Sequence, residues 1–335
     1  MKIDGGLGFD LSKAAAAAAR AEADGYDGVW SAETSHDPFL PIAAAAGATT
    51  SLDYGTGITV AFARNPMTLA VVANDLQMLT RGRFLLGMGS QIKPHITKRF
   101  SMPWSHPAPR MRELILAIRA IWKAWETGEK LEFRGEFYTH TLMTPFFNPG
   151  PNPHGNPKIL LAGVGEHMTE VAGEVGDGFL VHGFTTGRYL REVSLPALER
   201  GAARAGKSRA DLTVSYPGFV VTGVDDASTE AADKAVRQQI AFYGSTPAYR
   251  PVLELHGWGD LQSELNTLSK RGEWVKMGEL ISDEVLEAFA IVCPLEKVAG
   301  EVRSRYEDLV DRFSFYAPYK IDPETWKRVL AGFHD

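Results

Sequence analysis

In the stretch "WSAETSHDPF", residues 30–39, an apolar run breaks into small polar residues, and then His36 and Asp37 arrive. An imidazole titrates near neutral pH, so His36 is suited to give or take a proton during a reaction. Two glycine-rich turns suit different chemistry. "GMGSQ" (87–91) and "AGVGEH" (162–167) leave backbone amides approachable, as needed to hold a phosphate or another anion at a helix start. Either turn alone is also ordinary strand-to-helix packing chemistry, and a lone histidine in a polar loop is often merely solvated. His182, in "FLVHGF", ends another apolar run, either lining a cavity or sitting as a satisfied core histidine. Phe62, Trp104, Phe184 and Trp258 offer flat apolar surface near such loops, although packing is the commoner role for aromatic residues there.

Several chemistries are excluded. Cys293 is the single cysteine, so there is no internal disulfide and no cysteine-based zinc site, and its surroundings "AIVCPLE" read as buried apolar filler. The chain has no GxSxG elbow, HExxH helix, EF-hand loop, Walker A loop or complete GxGxxG fingerprint. Redox chemistry would therefore need another cofactor. A formal charge of -6 without a Lys/Arg-rich run gives no field for nucleic acid and opposes an anionic membrane surface. The sequence has no charged-then-apolar leader and no window of about 18 uninterrupted apolar residues. The expectation is a cytoplasmic protein whose partner is a small molecule.

The elements that must position these residues alternate along the chain. "KIDGGL", "DGVWSA", "GTGITVAF", "RFLLGMG", "PKILLAG", "GFLVHG", "LTVSYPGFVV" and "RFSFYA" are eight candidate strands, continuous in their apolar character as in a parallel sheet covered by helices. Between them lie helix patterns. "DLSKAAAAAARAEADG" can be capped by Asp10 or Ser12 and ended by Gly25, and "NPMTLAVVANDLQMLTRG" opens at Asn65-Pro66. At 335 residues, eight such repeats favour an α/β fold of the (β/α)8 TIM-barrel type as a single domain over 1–335. Two long spacers read as insertions after strands 4 and 7. Residues 91–156 hold a helix from Pro109 to Trp125, a hairpin in "KLEFRGEFYTH" and a proline-rich irregular segment, while 222–311 are mostly helical. Function in a barrel gathers at the carboxyl ends of the strands, which would collect Ser31 to Asp37, Thr59 to Arg64, Gly87 to Gln91, Ala162 to His167 and His182.

Taken together, "SHDPF", "GTGITVAFARNP", "RFLLGMGSQ", "RMRELILAIRAIW", "GEFYTHTLMTP" and "ILLAGVGEHMTEVAGEVGDGFLVHG" resemble the luciferase-like monooxygenase superfamily, and within it the branch of oxidoreductases dependent on coenzyme F420. The resemblance covers roughly residues 1–221 and the last strand. It implies a deazaflavin lying across the carboxyl ends of the barrel, with hydride chemistry supplied by the ring and orientation supplied by the protein. It places a bulge and a non-prolyl cis peptide at Gly57-Ile58, next to Thr59, behind that ring. It makes His36 the candidate acid or base beside the cofactor, puts Gly89 and Ser90 in a cofactor-contacting turn, and gives Gly163, Val164 and Gly165 the phosphate-bearing tail. Phe62, Trp104 and His182 become candidate substrate contacts. Members are usually dimers, so a homodimer is implied. Ser35 stands where sugar-phosphate dehydrogenases of the branch carry an acidic residue, so no substrate carries over. The alternatives are an FMN-dependent luciferase-like monooxygenase and a barrel that binds F420 without catalysis.

Overall fold

The computed structural model describes residues 1–334. The strands are β1 (Lys2–Gly6), β2 (Gly28–Ser31), β3 (Asp53–Thr56), β4 (Thr59–Val60), β5 (Phe84–Gly89), β6 (Phe133–Arg134), β7 (Thr139–His140), β8 (Lys158–Gly163), β9 (Gly178–Val181), β10 (Thr213–Val221), β11 (Ala290–Val292) and β12 (Arg312–Tyr316). The sheet runs in the order β10-β12-β1-β2-β3-β5-β8-β9, and β9 pairs with β10. With helices between the strands, this is the (β/α)8 barrel topology that the alternating pattern implies. β6 and β7 form a separate antiparallel hairpin. All eight expected strands are present. β11, at the end of the helical 222–311 segment, is an addition: three residues against β10 are too short to carry a periodic signal. No helix among the described residues is long and apolar enough to cross a membrane.

Contacts divide the chain into two compact units. The larger comprises Gly5–Leu180 and Ala197–Thr213. Here Asn65 accepts the Thr68 amide at 3.0 Å and Pro66 opens the helix Pro66–Leu79, as residues without and with a fixed φ do at a helix start. The helix Pro107–Thr127 buries Met111, Leu114, Ile115, Ile118, Trp122 and Trp125 at helical spacing, and the Trp122 indole donates to the Ala70 carbonyl at 3.1 Å.

The third strand is interrupted. β3 pairs with β5 up to Gly55 opposite Leu85, and β4 resumes with Thr59 opposite Met88. Four steps on one side meet three on the other, so one residue is extra, which is the definition of a bulge. The Thr56 hydroxyl bridges the gap, donating to the Gly87 carbonyl at 2.7 Å and accepting the Gly87 amide at 3.0 Å. The backbones come so close that a Cβ on Gly87 would sit 1.7 Å from the Thr56 carbonyl oxygen.

The smaller unit comprises Met1–Asp4, Val181–Pro196 and Val214–Asp335. Its strands β1, β12, β10 and β11 pair in parallel. Arg312 holds Asp4 through two 2.7 Å contacts, with both side chains almost fully buried. Phe184, Phe219, Val236, Ile240, Leu265, Met277 and Phe289 form its apolar core. Cys293 follows β11 and is only part-buried, in contrast to the buried filler expected from its neighbours, because the chain turns outward at Pro294 after three paired residues. Burial still pushes its thiol up to about 11.

The bulge predicts a severe effect at one position. Gly87→Ala will lower the unfolding free energy by about 3 kcal/mol or more, because the added methyl meets backbone rather than a movable side chain. A urea titration will show the midpoint shift.

Candidate active site

The loop after β2 is tied down by one carboxylate. Glu33 accepts the Val60 amide at 2.7 Å and the Arg64 guanidinium at 2.6 Å, while its own amide donates to the Ile58 carbonyl at 3.2 Å. Arg64 reaches on to Asp37 at 3.1 Å and lies over the Phe39 ring. Asp37 in turn accepts the Phe39 and Leu40 amides, which starts the helix Phe39–Ala45. His36 is carried between these fixed points. Its ring is exposed, stacks against Phe9 with centroids 5.8 Å apart, and makes no hydrogen bond among the described residues, so both nitrogens face solvent. Arg99 donates to the neighbouring Thr34 carbonyl.

The remaining cofactor candidates form a continuous edge. The Gly57–Ile58 bond is cis, as the resemblance implies, and the Gly57 amide donates to the Ser31 carbonyl at 2.8 Å. Val60 lies opposite Gly89, and a Cβ on Gly89 would come within 2.4 Å of Ile58 Cδ1 and 3.5 Å of Ala162 Cβ. Gly89 thus lets the ends of β4, β5 and β8 approach one another. Ser90 is part-buried and donates to the Gln91 carbonyl at 3.0 Å. β8 then delivers Gly163, Val164 and Gly165. Gly165 is the N-cap of the helix Glu166–Val175 and has no side-chain cap, and a Cβ placed on it would meet nothing within 4 Å. The N-cap of that helix therefore offers no side-chain acceptor to its first amides. Glu166, whose charge would oppose an anion there, is drawn to Arg200 at 2.6 Å. Ser31 Oγ and Thr59 Oγ1 are buried without hydrogen-bond partners among the described residues.

The structure thus brings His36, Gly57, Ile58, Thr59, Gly89, Ser90, Gly163, Val164 and Gly165 to the ends of strands paired as neighbours in one unit. Phe62 and Trp104 are close by in contact, with rings edge-on at 5.6 Å, but Phe62 is fully buried. It sits beneath the Arg110 guanidinium, which also binds the Tyr138 hydroxyl at 3.0 Å, so Phe62 is core, where rim surface is expected from its loop position. Phe184 is likewise fully buried, and Trp258 stacks on His256. Sequence reading places Glu33 and Arg64 in rim segments but does not pair them, because an ion pair across 31 positions leaves no local pattern.

His182 belongs to the other unit, where it stands among three tyrosines. Its Nδ1 accepts the Phe184 amide at 3.0 Å, which places the ring proton on Nε2, 3.2 Å from the Tyr249 hydroxyl. The Tyr243 and Tyr316 hydroxyls are 2.6 Å apart. Burial pushes His182 down to about 4 and Tyr249 up to about 12, and it raises Tyr316 as well. His182, Tyr249 and Tyr316 are therefore neutral near pH 7.

Two predictions concern these groups. Glu33→Ala will cost roughly 1–3 kcal/mol, since it leaves the Val60 amide without its acceptor and removes the shorter of the two ion pairs of Arg64, which keeps Asp37, whereas Glu33→Gln keeps an acceptor for that amide and will cost less. Urea midpoints of the two variants will separate them. His182 takes a proton at about 4 when folded and near 6.5 when unfolded, so the unfolded chain binds more protons between those values and stability falls as pH drops from 6.5 to 4. The loss attributable to this group is on the order of 3 kcal/mol, and unfolding curves of His182→Asn against the parent across that window will show a shallower acid slope.

Comparison with known proteins agrees with this architecture. A family profile described as luciferase-like monooxygenase matches residues 2–312. The uncharacterized protein Rv1360 of Mycobacterium tuberculosis is 58% identical over 312 residues, covering 93% of this chain and 92% of its own. The 5,10-methylenetetrahydromethanopterin reductase of Archaeoglobus fulgidus is 28% identical over 81% of this chain and 79% of its own. Among solved structures, the coenzyme F420 dependent tetrahydromethanopterin reductase from Methanopyrus kandleri superposes with a TM-score of 0.77 at 20% identity, covering 98% of this chain and 96% of that one. With a profile match across most of its length and a bulged third strand beside a glycine-lined edge, the chain belongs to the luciferase-like monooxygenase family.

Proposed function

We propose that this protein is an F420-dependent oxidoreductase that exchanges a hydride between the deazaflavin and a small organic substrate. The observation that carries the reading is the continuous edge from the His36 loop through Ile58 and Gly89 to the uncapped helix start at Gly165. An acid-base group stands at one end and an anion-receptive turn at the other. The Archaeoglobus and Methanopyrus reductases, one related in sequence and one in fold, support the oxidoreductase class.

The residues present fit the group. Gly163, Val164 and Gly165 would receive the phosphate-bearing tail at the helix start, where the space beside Gly165 is open while the Met168 side chain packs against Gly163. Gly57, Ile58, Thr59, Gly89 and Ser90 would back the ring. When bound, F420 supplies two-electron hydride transfer. His36, free of internal hydrogen bonds and held by the Glu33–Arg64–Asp37 clamp on either side, would take the hydroxyl proton as an alcohol is oxidised, or give one as a carbonyl is reduced. The clamp's role is to fix the loop so that this proton transfer happens at a constant distance.

Titration of the purified protein with F420 and with FMN, followed by fluorescence, tests the cofactor. Saturable F420 binding is expected, and FMN retention with no F420 affinity would overturn the assignment. His36→Ala is expected to keep F420 affinity within about threefold while slowing turnover by roughly 10²–10⁴. Binding without turnover in the parent across a broad substrate screen would instead identify a non-catalytic F420 carrier.

A further inference from the structure

The hydroxyl groups around His182 do not balance. Because the Phe184 amide occupies Nδ1, the ring donates through Nε2 to Tyr249, and the Tyr249 hydroxyl proton is left without an acceptor. In the Tyr243–Tyr316 pair one hydroxyl donates and the other receives, so a second proton is left over. The rings belong to one cluster, with His182 4.9 Å from Tyr243 and 4.7 Å from Tyr249, and Tyr243 6.2 Å from Tyr249, centroid to centroid. Each of the four residues keeps part of its surface exposed. Phe184 packs on Tyr249 at 5.6 Å and Phe219 stacks on Tyr316 at 4.5 Å, giving the cluster an apolar backing. Among the described residues, no lysine or arginine hydrogen-bonds to any of the four.

From this surplus of donors we infer that His182, Tyr243, Tyr249 and Tyr316 form a binding site for an uncharged oxygen acceptor on an apolar body, such as a ketone, an aldehyde or the corresponding alcohol. A phosphate or carboxylate finds no countercharge here, and burial that keeps Tyr249 and Tyr316 protonated makes those two phenols donors throughout the neutral range. As a statement about substrate class it rests on the oxidoreductase reading above, but the binding itself does not.

Acetophenone is a suitable probe, with benzoate as its charged counterpart, each titrated against the full-length protein by saturation-transfer NMR or calorimetry. Acetophenone is expected to bind saturably and benzoate at least tenfold more weakly. Tyr249→Phe and Tyr243→Phe, which keep the rings, are each expected to weaken acetophenone by about three- to tenfold while leaving the F420 titration unchanged, with at most a modest fall in the thermal midpoint. Tyr316→Phe repeats the test should either variant unfold. Equal affinity in the parent and the phenylalanine variants, benzoate binding as tightly as acetophenone, or no saturable acetophenone binding with or without F420 would each overturn the inference. Tyrosine-dependent acetophenone binding by a protein with no F420 affinity would sustain it while removing the proposed function.

Discussion

One surplus residue between Gly55 and Thr59 governs the geometry of the larger unit. A parallel ladder that gains a residue on one strand must either lose its pairing or find another group to bridge the interruption, and the Thr56 hydroxyl does the bridging by bonding both polar atoms of Gly87. The strand then restarts one step out of phase. This displacement presents the Ile58 carbonyl and the Val60 amide to the loop after β2, where Glu33 takes them with its amide and its carboxylate. The placement of His36 thus follows from a pairing defect in the next strand of the sequence.

The polar interactions in the two units carry different burdens. The Asp4–Arg312 pair is buried with both oxygens engaged, so the cost of desolvating it is recovered only while both partners are present. The Glu33–Arg64 pair is partly open to solvent, contributes less to stability, and serves to join a loop to a strand. Around His182 the arrangement of the polar groups is set by hydrogen-bond direction.

Much of the fold was legible because apolar continuity and helix-boundary chemistry are local properties. "RFLLGMG" reads as a buried strand, Asn65-Pro66 reads as a helix start, and both are found so. The hairpin in "KLEFRGEFYTH" and the long helix before it are also in place. Burial of an individual side chain was not legible, because it depends on what arrives from elsewhere: Phe62 lies in a loop yet is covered by Arg110 from a distant helix. The same holds for the tyrosines. Tyr243 sits on a helix whose apolar stripe makes an aromatic residue look like core, and its link to Tyr316 spans 73 positions. Glycine turns were visible as motifs, but their adjacency became apparent only from strand order.

Cys293 carries a consequence for how the molecule meets its surroundings. With its thiol at about 11, very little of it is the reactive anion at neutral pH, so oxidants and electrophiles attack it slowly. No second sulfhydryl exists in the chain to close a bridge. The architecture therefore holds no intramolecular disulfide for the redox poise of its compartment to make or break.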